Sequence, residues 1–129
     1  MMRAVSAILL ILSAAVSAAP AQACRTSAQM RSILFESLPP MAEGEVAARV
    51  EILSDSWRAD RPQVRARVLA MLRGTAPGEF VTLRPHSAGT CHVFPRRGSV
   101  GIVVGRPAGL AGGELVIDTD WSPAPLPPG

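Results

Sequence analysis

The sequence predicts an all-β fold, a small five-stranded barrel with a short N-terminal helix, and three observations carry that expectation. Apolar residues recur with a period of two in short stretches, as at Val46, Ala48, Val50 and Ile52. Clusters of Gly, Pro and Ser separate those stretches at fairly regular intervals. Helical spacing occurs in one stretch alone, around Met30, Ile33, Leu34 and Leu38. A length of 129 residues suits a single domain of this kind.

The N-terminus reads as a targeting segment. One positive charge, Arg3, precedes an apolar run over residues 4–16, then small residues lead through Pro20 to Ala21, Gln22 and Ala23. This is the pattern of a secretory signal peptide, residues 1–23, cleaved after Ala23. The run is too short for a membrane-spanning helix, which needs about 20 apolar residues. The expected mature chain is soluble, spans residues 24–129, and is secreted or periplasmic.

Cleavage there makes Cys24 the first mature residue, and two readings of it stand. A lipoprotein signal also ends immediately before a Cys, so Cys24 could carry lipid and tie the chain to a membrane. Alternatively Cys24 pairs with Cys91, the only other cysteine, since two cysteines in an exported chain allow one pairing. Such a bridge closes a loop of about 70 residues, worth roughly 4 kcal/mol in the chain-entropy account.

Residues 26–38 form the expected helix, opened by Thr26 and Gln29 at capping-box spacing and stopped by Pro39 and Pro40. The run Ile33, Leu34, Phe35 suits an extended strand as well. Residues 45–53 alternate as a half-buried strand. A polar loop over 54–63 leads to a second strand, where Val64, Ala66, Val68, Ala70 and Leu72 share one face. Its other face changes from Arg65 and Arg67 to Leu69 and Met71, so its far end is expected to be covered on both sides. A turn over 73–78 precedes a third strand at 80–83. The fourth strand, 100–104, contains Gly101, which marks a bulge or a close backbone approach. Leu115, Val116 and Ile117 form the fifth, and four prolines in the last eight residues, 122–129, make an extended tail. Five short strands argue for a small antiparallel barrel or sandwich, and an OB-type barrel has that number.

Taken in order, Cys24, the strand Val46-Ala47-Ala48-Arg49-Val50, the run Met71-Leu72-Arg73-Gly74, the strand Phe80-Val81-Thr82-Leu83, the stretch Ser87-Ala88-Gly89-Thr90-Cys91 and the strand from Gly98 to Val104 resemble a known family. The pattern is similar to the N-terminal domain of tissue inhibitors of metalloproteinases and the wider netrin-like modules. The resemblance implies an OB-like barrel over residues 24–121 and a disulfide between Cys24 and Cys91. It also implies an inhibitor that chelates the zinc of a metallopeptidase with the amine and carbonyl of Cys24. The side chain that would enter the target's pocket is Arg25, which calls for an acidic pocket, because burying an unpaired guanidinium is costly.

Other chemistries are weaker. Thirteen Arg with no Lys, Asn or Tyr reads as the codon bias of a GC-rich genome rather than as a nucleic-acid footprint. With twelve Arg against ten acids after residue 23, and few aromatics, no nucleic-acid partner is expected. His86, Cys91 and His92 invite a metal reading, but a bridged Cys91 is no thiolate ligand, and loop histidines are the default, so no metal or cofactor is expected. Asp118 and Asp120 close the last strand and are more simply solvated than catalytic. With no nucleophile elbow, HExxH or CxxC in the sequence, the chain is expected not to be an enzyme. Trp57, between Ser56 and Arg58 in a polar loop, resembles a contact anchor, or else folds back over the barrel. The expected function is therefore non-enzymatic recognition of a protein partner through Cys24, Arg25, Trp57 and Arg58, with metallopeptidase inhibition as the alternative.

Overall fold

Val46, Ala48, Val50 and Ile52 alternate along strand β2 (Val46–Ile52), and all four are buried in one apolar cluster. The same period places Val64 and Ala66 of β3 (Val64–Arg73) in that cluster. Val81 and Leu83 of β4 (Phe80–Pro85), Val103 of β6 (Val100–Ala111), and Leu115 and Ile117 of β7 (Glu114–Thr119) join it. Two-residue strands β1 (Arg31–Ser32) and β5 (His92–Val93) pair with each other outside it. The computed structural model describes residues 30–58, 60–86 and 91–123.

The five longer strands close into a barrel in the order β2, β3, β4, β7, β6. Its pairings are antiparallel except for β4 with β7, so the barrel is mixed rather than wholly antiparallel. The architecture is consistent with the expected OB-like barrel. Closure leaves the barrel without a full-length open edge.

Strand β6 makes closure possible by serving two neighbours. Its first half pairs with β2, Glu51 opposite Val100 through Val46 opposite Gly105, and its second half pairs with β7, from Gly105 opposite Thr119 to Ala111 opposite Glu114. At the changeover, a Cβ on Gly105 would overlap the backbone carbonyl of Asp118 and lie 2.9 Å from Thr119 Cα. Only glycine fits there. The strand runs past its expected end at Val104 because the β7 hairpin supplies a partner. Gly112 and Gly113, at φ 58° and 82°, form the two-residue turn that requires positive φ at both positions. Pro107 is accommodated because β6 has a neighbour on one side only at that point.

The expected N-terminal helix is also corrected. Residues 30–38 of the expected helix are not helical, and residues 26–29 lie outside the described residues. Long-range pairing outcompetes the local helical spacing: Arg31 N–H donates to Cys91 O (2.8 Å), and Phe35 exchanges both backbone hydrogen bonds with Ile102 (2.8 and 3.0 Å). The extended segment sends Ile33 into the main core, while Phe35 and Met41 cover a second cluster of Ala47, Ile102 and Val104. Leu34 lies over Gly101, where an added Cβ would come within 2.9 Å of Leu34 Cβ. What approaches Gly101 closely is thus a side chain rather than another backbone, and no register shift marks a bulge beside it.

The far end of β3 is not covered on both sides. Strand β4 begins opposite Arg67, so residues 69–73 have β2 as their one strand neighbour. Leu69 and Leu72 are 48% and 41% exposed. Within the expected tail, Ser122 is tied to β1, donating from N to Ser32 O (2.7 Å) and accepting from Ser32 N at Oγ (3.1 Å). Residues 124–129 lie outside the described residues.

Candidate partner-binding site

Four segments meet beside Cys91: β1, the loop 53–63 after β2, the stretch 91–99, and residues 120–122 after β7. Their junction is a string of rings. Trp57 stacks on Phe94 (centroids 4.8 Å apart, 18° between planes), Phe94 meets Trp121 at 5.8 Å, and Trp121 stacks on His92 at 4.0 Å and 10°. Each indole N–H finds a carbonyl on another segment, Trp57 Nε1 donating to Pro95 O (2.9 Å) and Trp121 Nε1 to His86 O (2.6 Å). Both indoles pack against the main core cluster. Stacked, hydrogen-bonded rings of this kind lock loops that short strands alone would leave loosely held.

Trp57 therefore folds back over the barrel, the second of its two sequence readings, and its ring is half-buried rather than free. Arg58, its neighbour, is exposed. Cys24 and Arg25 lie outside the described residues. Cys91 is half-buried, and no described cysteine is a free thiol. Trp121 and Phe94 are not singled out by sequence, and His92 is singled out there only as a candidate metal ligand. Trp121 stands just before a proline-rich stretch, Phe94 stands before Pro95-Arg96-Arg97, and no periodicity marks either.

The candidate metal and acid groups separate. Among the described residues no three His, Cys, Asp or Glu side chains are grouped to hold a metal ion. Asp118 and Asp120 do not act as a pair. Asp118 accepts from Arg84 Nε (2.6 Å), and that hydrogen bond holds its carboxyl below the usual carboxylate range. Asp120 instead faces Glu45, just before β2. Burial, then the hydrogen bond and the negative charge of Glu45, push Asp120 up to about 6, against the opposing pull of His86 and Arg106. Glu45 is lowered by its hydrogen bond with Asp120, helped by the Ala42 N–H, which donates to Glu45 Oε1 (2.7 Å), and by Arg106 and Arg73.

Charge is distributed unevenly. On the barrel wall Arg65 is paired with Glu114, Arg84 with Asp118, and Arg67 with Glu51 at 4.0 Å. Arg65 also lies over the Phe80 ring, 3.9 Å from its centroid. Around the ring cluster, Arg58, Arg61, Arg96 and Arg97 are all exposed. A shallow depression of about 410 Å³ opens at Arg61, lined also by Asp60, Pro62, Gln63 and Arg84.

Searches against protein-family models, curated proteins and solved structures find no match.

Proposed function

We propose that the chain is an exported, non-enzymatic binding module of the OB-like, netrin-like type. It recognises a protein partner with its N-terminus and the loops around Trp57, Arg58 and Cys91. The observation that carries this reading is the parallel pairing of β1 with β5, in which Arg31 N–H donates to Cys91 O (2.8 Å). That register sets Arg31 beside Cys91, at the end of the barrel where the Trp57 loop is also pinned. Loops held on a rigid scaffold are where recognition usually sits.

A Cys24–Cys91 bridge belongs to the reading. What supports it is that Cys91 is not a free thiol and that the chain has one other cysteine, Cys24. Non-reducing mass spectrometry of the secreted chain should show one bridged form starting at Cys24. Two free thiols, or a lipid on Cys24, count against it. Recovery of the partner from a periplasmic or culture extract should fall when Arg25→Ala or Arg58→Ala replaces the wild type, with thermal melts unchanged.

The same pairing favours a second reading, inhibition of a zinc metallopeptidase by the free amine and carbonyl of Cys24. An α-amine, with a pKa of about 7.7 to 8.0, is neutral and able to chelate for an appreciable fraction of the time near pH 8. The chain starting at Cys24 should then inhibit a co-resident metallopeptidase, and one lengthened by a single N-terminal Ala should not. Equal inhibition by both forms excludes chelation.

A further inference from the structure

Four arginines that have no ion pair among the described residues are gathered at the ring cluster. The Trp57–Phe94 stack and the bond from Trp57 Nε1 to Pro95 O draw the two loops together, and Arg58 and Arg96 are the next residues on each side. Arg61 is held close to Arg58 by its N–H, which donates to Arg58 O (3.2 Å). Arg97 follows Arg96, and the base of that loop is closed by Ser99 N to Arg96 O (3.0 Å) and Gly98 N to Ile52 O (2.7 Å). The acids in these loops, Asp55 and Asp60, leave an excess of positive charge at this mouth, while on the wall Arg65, Arg67 and Arg84 are paired across strands and Arg49, Arg73 and Arg106 stand singly on three different strands.

We propose that this arginine mouth binds an acidic segment of a protein partner, with side-chain carboxylates seated against Arg58, Arg61, Arg96 and Arg97. The inference rests on the binding role proposed above and names the chemistry of the partner. Guanidinium groups read carboxylates through paired N–H donors, and holding their backbone fixed lowers the entropy lost on binding. The rings point away from nucleic acid as the partner. Trp57 and Phe94 spend faces on each other, and so do Trp121 and His92, so they offer no open platform for stacking bases. Of the large exposed apolar side chains, Leu69, Leu72 and Leu110 stand on the far parts of β3 and β6, while Met30, Val93 and Val100 stand in or beside β1 and the stretch 91–99, so lipid vesicles are one of the comparison probes.

The test is fluorescence anisotropy of a labelled hexaglutamate peptide with the full chain at low salt. Hexaglutamine, single-stranded oligothymidylate and phosphatidylglycerol vesicles serve as comparison probes. Hexaglutamate should bind, and hexaglutamine should not. The double variant Arg96→Gln/Arg97→Gln should weaken binding by about fivefold or more, the order expected for two exposed charge contacts. Arg65→Gln/Arg67→Gln, which removes the same charge from the wall, should change it by less than about twofold. Equal weakening by both pairs overturns the proposal, because binding would then follow net charge alone. Tighter binding of the oligonucleotide or the vesicles overturns it as well. A natural partner lost on Arg25→Ala but retained by Arg96→Gln/Arg97→Gln removes the acidic class and leaves the binding site in place. Retention by both variants removes the site itself.

Discussion

The carboxyl of Asp120, at the end of the last strand, is hydrogen-bonded to the carboxyl of Glu45, at the start of the first barrel strand. Two carboxyls so placed share one proton more easily than they both ionise. Folding raises Asp120 to about 6, so between about pH 4 and 6 the folded chain keeps a proton that the unfolded chain has released. The resulting stability is complete below the unfolded value and is lost as pH rises through about 6. Glu45, lowered on folding, works in the opposite sense, with its contribution lost as pH falls below its usual range. Asp120→Asn keeps a donor facing Glu45 and removes the titration. Its melting temperature should be nearly flat between about pH 5 and 6, the upper part of the range over which the wild type declines. Above pH 7 the variant should be more stable by about 1 kcal/mol, a figure discounted for solvent exposure. Parallel melting curves for the two proteins would show that the carboxyls are uncoupled.

Gly105 and Gly101 lie on the same strand, yet alanine should affect them very differently. At Gly105 the added methyl meets the Asp118 carbonyl and the Thr119 Cα, both backbone atoms that can move only if the β6–β7 pairing opens. At Gly101 it meets Leu34 Cβ, an atom that moves only with the backbone of the N-terminal segment, which is held to β6 by a single pair of hydrogen bonds between Phe35 and Ile102 rather than by a full ladder. Gly105→Ala should cost at least about 3 kcal/mol or prevent folding, and Gly101→Ala about 1 to 2 kcal/mol. Urea denaturation of the two variants checks the order.

Thr119 is fully buried, and its hydroxyl oxygen has no hydrogen-bond partner among the described residues. Replacing it by the equally shaped valine removes a desolvated polar group at no cost in volume. Thr119→Val should therefore be neutral or stabilising by about 1 kcal/mol. A loss of more than about 1 kcal/mol in the same urea experiment would mean that the hydroxyl has a partner.

For Trp57 the expected readout separates packing from hydrogen bonding. Trp57→Phe retains a ring for Phe94 and loses the bond to Pro95 O, at about 1 kcal/mol, whereas Trp57→Ala loses both, at about 3 kcal/mol or more. If the two variants melt together, the stack contributes nothing to stability.

The barrel was legible wherever a strand is long and its two faces differ. In β2 and the first half of β3 every second residue is apolar and buried, and the period of two says as much without a structure. It was illegible where a neighbour distant in sequence decides the outcome. Met30, Ile33, Leu34 and Leu38 suit a helix by spacing, but Cys91 and Ile102 supply backbone partners that hold the segment extended. Strands β1 and β5 are two residues long, below the length at which any period can be read. Gly105, Pro107 and Gly109 look like punctuation, yet β6 continues through them because β7 turns back alongside it. The site was partly legible: Trp57 stood out as a lone ring in a polar loop, while its partners Phe94 and Trp121 come from separate parts of the chain and the pairing of Asp120 with Glu45 spans nearly the whole barrel.

Because β2, β3 and β4 pair in chain order and β6 forms a hairpin with β7, the ring closes along two seams between these units, the parallel β4–β7 pairing and the β2–β6 pairing that runs from Val46 opposite Gly105 to Glu51 opposite Val100. Strands β2, β3 and β4 can zip together by hairpin contacts as they appear, but the outer edge of β2 has no partner until β6 arrives. Until then the growing chain presents a sticky border able to pair with another copy. Assembly governed by such distant contacts falls in the slow, millisecond-to-second range for small domains. Closure of these seams is thus the step at which the chain passes from an aggregation-prone ribbon to a sealed domain, and variants that delay it should lower soluble yield before they lower the melting temperature.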